Sequence, residues 1–336
     1  MWDASKCALC GDCLARCPYV DYDKDRAAKE IKALMDGKEA DILSKCINCV
    51  ACNEYCAKGA NPFDLICQRQ EEIKALPVPE SLFTFFGKVT AMPSEVVKGN
   101  PDRPVLSLCT VEPLIPRDAI EGQMFDGLTI VKGGECFCYI GYVHLGTERL
   151  VKQNAQKFVD KMASLGAKEI VFIHDDCYSM IANKVPEYGI EVPFKPVHIF
   201  EYLLNYLRGH QESITKLGKR IAYQRPCASR YTPGKEYMLD EIFDLIGIER
   251  VDRKYDREEA LCCGGGGIVD RIYPGKMAKY QDMNLTDAQE HGAEAMVFLC
   301  PLCIRGLGQL SQKCGLTPIF ITDLCRMALG EKPFPV

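Results

Sequence analysis

Apolar positions along the chain keep two rhythms. Residues 105–108, 170–173, 221–223 and 296–299 are short, mainly apolar runs, the pattern of buried strands, whereas Val151, Ala155, Phe158, Val159 and Met162 recur at helical spacing. Strands alternating with amphipathic helices predict an α/β layered fold. Such folds place their chemistry in loops at the carboxyl ends of strands, and Cys109, Cys177, Cys227 and Cys300 all stand at or just beyond the strand-like runs. Upstream, residues 23–45 are charged and helix-prone. Pro77, Pro79, Pro93, Pro101 and Pro104 then dot a stretch with the composition of a linker or wrapping arm.

The alternation repeats. At a constant offset of 126 positions Cys136 falls on Cys262, Gly141 on Gly267, Gly166 and Ala167 on Gly292 and Ala293, and Cys177 on Cys303. The last two-thirds of the chain therefore read as a tandem duplication.

Composition narrows the chemistry. The 336 residues leave room for two or three compact units, and 20 cysteines in a secreted chain of this size would suggest a disulfide framework. No apolar signal stretch precedes the first motif cysteine, so a reducing cytoplasm with metal-bound thiolates is expected rather than a disulfide framework. A net charge of −5 offers nothing to neutralise phosphates, which argues against nucleic acid as a partner. No apolar run approaches the roughly 20 residues that cross a bilayer, so work at a membrane needs a partner protein.

Cys7, Cys10, Cys13 and Cys17, followed by Pro18, have the spacing C-x2-C-x2-C-x3-C-P. Cys46, Cys49, Cys52 and Cys56 repeat it with Ala57 in place of the proline. Two such runs predict two [4Fe-4S] clusters whose fourth ligands cross over, giving Cys7, Cys10, Cys13 with Cys56, and Cys46, Cys49, Cys52 with Cys17. The alternative is a pair of zinc knuckles, which need only C-x2-C pairs. With its helix-prone insert, the unit resembles the α-helical ferredoxin domain of heterodisulfide reductase and succinate dehydrogenase iron–sulfur subunits.

Near the other end, Cys227, Cys262, Cys263, Cys300 and Cys303 stand in the pattern C-x34-CC-x36-C-x2-C, with Gly264 after the pair. Adjacent thiolates suit different irons of one centre better than one zinc ion. A binuclear zinc site and redox-active disulfides are the alternatives. The pattern resembles the CCG domain of heterodisulfide reductase catalytic subunits, a family that includes the iron–sulfur subunits of glycolate oxidase and anaerobic glycerol-3-phosphate dehydrogenase. Ferredoxin motifs followed by two CCG modules resemble the arrangement of the D-type heterodisulfide reductase subunits. The resemblance implies that the five cysteines hold a noncubane [4Fe-4S] cluster, the active site of the disulfide reductases.

The organisation expected is an N-terminal α-helical ferredoxin domain (1–76), a linker (77–103), a first CCG module (104–215) and a second, intact one (216–336). The first is degenerate: at the offset of 126, Phe137 replaces Cys263, His174 replaces Cys300, and Cys138 lies where Gly264 would be. What remains, Cys109, Cys136 or Cys138, His174 and Cys177, is a candidate three-thiolate, one-imidazole zinc site. The alternatives are a half that only packs, and a redox role for Cys136 and Cys138 facing substrate. The glycines at 264–267 lack a dinucleotide or Walker spacing and are read as letting backbone N–H groups reach cluster sulfurs. Cys67, Cys314 and Cys325 are expected as buried apolar residues, and Arg225, Arg230 and Arg305 as solvated surface.

Two functions compete. In one, an iron–sulfur oxidoreductase passes electrons along the ferredoxin clusters to the noncubane centre, which reacts with a thiol or disulfide. With one degenerate copy, a two-electron disulfide reduction must then run as two sequential one-electron steps. In the other, the chain is a relay subunit of a larger complex. Flavin, quinone and membrane chemistry would belong to partners, a flavoprotein, a cytochrome or a sulfur carrier, since the sequence shows no flavin motif.

Overall fold

The structure, a computed structural model, describes residues 1–335. Among these residues nine strands form two sheets: β1 (Glu95–Val97), β2 (Val105–Cys109), β3 (Thr129–Lys132), β4 (Glu169–Phe172) and β5 (Lys195–His198) in the first, and β6 (Lys219–Gln224), β7 (Ile248–Arg250), β8 (Ala295–Phe298) and β9 (Thr317–Phe320) in the second. The orders are β1-β3-β2-β4-β5 and β7-β6-β8-β9. Apart from the edge strand β1, both sheets are parallel and share one topology: the first strand of each unit lies between the second and the third. Leu106 pairs with Ile130 and Val171, and Ala222 with Met296. All of β2 and β8 are buried, because helices cover both faces of a parallel sheet.

The helix Arg149–Ala163 buries Val151, Ala155, Phe158, Val159 and Met162, the stripe read from the sequence. One apolar core runs from Leu106, Val171 and Leu203 of the first unit to Ile221, Val297 and Leu307 of the second. Contact between the helices Ile199–Gly209 and Glu236–Ile246 joins them.

The stretch expected to be a linker is folded. Its prolines fall at the N-cap of a helix (Pro79) and in loops, leaving Glu80–Thr90 free to bury Leu82 and Phe86 one turn apart. β1 then pairs antiparallel with β3, Val96 opposite Val131, so residues 77–103 complete the first sheet.

The N-terminal unit is helical around its cysteine loops, with helices Lys24–Met35 and Pro62–Ile73. It is tied to both sheet units. Asn48 Nδ2 donates to Val143 O at 3.0 Å, Tyr19 Oη accepts from the Cys262 N–H at 2.7 Å, and Glu54 takes buried Arg225 and Arg230. No helix among the described residues is long and apolar enough to cross a membrane.

Candidate metal centres

The two ferredoxin-type runs wind alike. Leu9 and Gly11 in the first, and Asn48 and Val50 in the second, occupy the same places between cysteines and all adopt positive φ. For Val50, a β-branched residue, that conformation is costly, and both loops accept it to turn the thiols inward. At Gly11 a Cβ would lie 2.2 Å from Lys24 O, so only glycine fits. Backbone N–H groups of Asn48 and Ala60 point at Cys46 Sγ (3.3 Å) and Cys56 Sγ (3.4 Å), the donors that ligating sulfurs need.

The sulfurs that act on one another show how the thiols are gathered. Burial and the Cys56, Cys10 and Cys7 sulfurs push the Cys13 thiol up to about 12. Burial and Cys49 push Cys17 up to about 12, and Cys46 is raised by burial, Cys49 and Cys17. Cys52 is held well above its usual range by burial and the sulfurs of Cys46, Cys13, Cys49 and Cys17, so it faces both groups. Thiols this crowded do not ionise together without a cation, and metal binding that expels their protons resolves the conflict. The donor sets fit four-iron clusters.

The second sheet builds the other site from the carboxyl ends of its strands. Cys227 follows β6, the Cys262–Cys263 pair lies in the loop after β7, and Cys300 caps the helix Pro301–Lys313 after β8, with Cys303 in its first turn. All five line one cavity of about 50 Å³ with Ile47, Pro226, Ile268, Val269 and Leu302. The N–H groups of Gly264 and Gly265 approach Cys262 Sγ and Cys263 Sγ, both at 3.3 Å, and both glycines have positive φ. Thiol donation from Cys262 and Cys303 holds Cys263 down to about 6, and donation from Cys303, with His174 nearby, holds Cys300 at about 6. Five convergent thiols with backbone donors fit a multinuclear iron centre. Beside them stands Cys49, whose thiol burial and Cys227 push up to about 11.

In the first sheet unit Cys109, Cys138 and Cys177 come together, all buried, with sulfurs within 4.8 Å of one another. Cys109 ends β2 as Cys227 follows β6, so the two cysteines stand at equivalent strand ends. Cys138 rather than Cys136 joins the trio, and Cys136 lies buried nearby. His174, expected as the fourth ligand, turns away. Its Nε2 lies 3.5 Å from Cys300 Sγ in the other unit. Burial works against its charge, but the Asp176 carboxylate and Cys300 hold it protonated up to about 10.

Two buried polar networks were not foreseen. Arg225 grips Glu54 with both terminal nitrogens (2.7 and 2.8 Å) and Arg230 binds the same carboxylate at 2.8 Å, so two arginines read as solvated surface are 4% and 6% exposed. Arg305 is exposed as expected, Cys67 and Cys325 are buried, and Cys314 is half-buried. Asp175, before Cys177, meets His198 Nε2 and Lys235 Nζ, both at 3.0 Å, and accepts from Ser229 Oγ. Because His198 Nδ1 accepts the Phe200 N–H, its Nε2 carries the proton donated to Asp175. The signal available was position: Glu54 lies between two ligand cysteines, Arg225 two residues before a third.

Comparison with known proteins bears directly on these two cysteine constellations. A 4Fe-4S dicluster domain model matches residues 1–57, and a cysteine-rich domain model, CCG, matches residues 221–308. Residues 221–308 are thus a CCG cysteine-rich domain, behind an N-terminal 4Fe-4S dicluster region. It is similar to the D subunit of dihydromethanophenazine:CoB–CoM heterodisulfide reductase from Methanosarcina barkeri, 27% identical over 205 residues, 59% of this chain and 49% of that protein. It is also similar to the probable iron–sulfur-binding oxidoreductase FadF of Bacillus subtilis, 26% identical over 166 residues, 49% of this chain and 23% of that protein. This CCG-domain chain spans about half the length of the heterodisulfide reductase relatives it matches. A solved structure of a hypothetical protein from Helicobacter pylori shares the fold, with TM-score 0.58 at 13% identity, over 92% of this chain and 64% of that one.

Proposed function

We propose that the chain is an oxidoreductase subunit that passes electrons through two [4Fe-4S] centres, at Cys7, Cys10, Cys13, Cys56 and at Cys17, Cys46, Cys49, Cys52, to a noncubane four-iron centre at Cys227, Cys262, Cys263, Cys300 and Cys303, where a thiol or disulfide reacts. The observation that carries the reading is the five-thiol cavity with Cys49 of the ferredoxin unit against its Cys227 wall. When bound, iron–sulfur groups supply one-electron transfer and, at the cavity, an iron that accepts a sulfur ligand.

The chain's own residues give that chemistry an order. Cys10 is exposed, Cys13 and Cys52 adjoin, and Cys49 adjoins Cys227, so the thiol groups run from the surface to the cavity in sequence. Apolar walls at Ile47, Pro226, Ile268, Val269 and Leu302 keep water from the sulfurs. His144 and Asp176 are the ionisable groups besides cysteine on that lining, and His144 Nδ1 is held by Asn48 O at 2.8 Å, which leaves Nε2 to handle a proton for a departing thiolate.

The three-thiolate set Cys109, Cys138, Cys177 is the candidate zinc site, with its fourth position outside His174. Electron donors and acceptors are other subunits, of flavoprotein, cytochrome or sulfur-carrier type. EPR of the oxidised protein with and without added thiol tests the reading: a changed spectrum is expected. An unchanged one assigns the chain to a pure relay between partners.

A further inference from the structure

The residue that takes the place of a cysteine in the first unit meets that cysteine's counterpart in the second. His174 and Cys300 are separated by the repeat offset of 126, and their side chains touch, Nε2 to Sγ, at 3.5 Å. Equivalent positions of a duplicated pair meet where the two copies face each other, so the sites of the two units abut at this contact. His174 is 3% exposed and its Nδ1 has no hydrogen-bond partner. The Nε2 lies nearer the Cys300 sulfur than the Asp176 carboxylate of its own unit, which stands 3.8 Å away, and an imidazole serving only the packing of its own unit has no reason to leave its other nitrogen buried and unpartnered.

Resting on the proposed five-cysteine centre, we infer that His174 is a positioning residue for it: the first unit's degenerate copy lends its Nε2–H as a hydrogen-bond donor to the Cys300 sulfur. The loss of the first unit's own ligand position is thereby a gain for the second. The donor side of the Cys300 environment is otherwise thin, since the backbone N–H groups aimed at thiols in this site go to Cys262 and Cys263. A donor on a ligating sulfur stabilises the electron-richer, reduced state of the centre, so it makes the centre easier to reduce. A charge-assisted hydrogen bond supports roughly a tenfold change in an equilibrium ratio.

The test is an anaerobic redox titration of the full chain, followed by EPR, on wild type, His174→Leu and His174→Gln. At a fixed ambient potential the oxidised-to-reduced ratio of the third centre rises about tenfold in His174→Leu, ~59 mV for a one-electron couple, and by less than half that shift in His174→Gln, which keeps an N–H donor. Ferredoxin centres titrate as in wild type. Equal shifts in both variants, or none in His174→Leu, overturn the inference. A second measurement needs no variant to load its cluster: in wild type labelled with 15N-histidine, a weak nitrogen coupling to the paramagnetic third centre is expected. A strong coupling means direct ligation and none means no contact, and either overturns the inference. A wild-type chain with only the two ferredoxin centres sinks the proposed function, and this inference with it; a third centre indifferent to His174 sinks the inference alone.

Discussion

Replacing Glu54 by leucine removes the carboxylate that holds the ferredoxin unit against the second sheet unit. Glu54 accepts three hydrogen bonds at 2.7 to 2.8 Å from Arg225 and Arg230, whose side chains are 2% and 3% exposed. Breaking a buried pair from one side costs about 3–5 kcal/mol, because the stranded charge stays in a poor solvent. Here the guanidiniums keep other partners: Arg225 retains Glu236 at 2.8 Å and Arg257 O at 2.9 Å, and Arg230 retains the carbonyls of Glu258 and Ala260 at 2.8 and 2.7 Å. The low end, about 3 kcal/mol, is therefore expected. The assay is anaerobic urea unfolding followed by the fluorescence of the single tryptophan, Trp2, which reports the ferredoxin unit, and by far-ultraviolet circular dichroism, which is dominated by the larger sheet units. In the variant the Trp2 transition moves to lower urea than the dichroism transition, and Arg230→Met in the same chain restores part of the loss. A loss under about 1 kcal/mol with coincident transitions refutes the clamp, since that is the scale of an exposed pair.

Gly11→Ala forces a left-handed residue to carry a Cβ 2.2 Å from Lys24 O, so the first cysteine loop cannot close; iron analysis is expected to fall by about four per chain, and full iron content contradicts it. Asp175→Asn tests the second network through pH. Against the burial that would raise it, Lys235 and His198 hold the Asp175 carboxyl well below its usual range. A lowered folded pKa contributes stability that is complete above the unfolded value, about 3.9, and is lost as pH falls through the folded one. The stability gap between wild type and Asp175→Asn is thus flat from pH 8 to 7 in urea titrations, above the range in which His198, itself lowered by burial and raised by Asp175, exchanges its proton; a slope there refutes the assignment. Cys138→Ser lowers the zinc content of the purified protein if the trio is a metal site, and Cys136→Ser leaves it unchanged; the reverse pattern would show that Cys136 is the ligand.

The strands were legible because parallel strands buried on both faces need unbroken apolar runs, as at β2, β4, β6 and β8. Closeness of the thiols within each C-x2-C step was legible because residues three positions apart in a turning loop are neighbours by local geometry alone. β1 was not: its three residues are exposed along their length and carry no buried stripe, and only the pairing with β3 makes them a strand. Nor was the role of Arg225, whose partner Glu54 lies 171 positions away, or of His174, whose sequence place matches a ligand while its side chain serves the facing unit. Local spacing says which thiols lie side by side. It does not say which charged residue from another unit closes the site.

Whether the five-thiol cavity holds iron at all is decided by iron and acid-labile sulfide analysis of the anaerobically purified chain, paired with Cys263→Ser. Three four-iron centres predict about twelve irons per chain, and about eight in the variant, with the ferredoxin signals intact. About eight irons in both proteins would contradict a third centre.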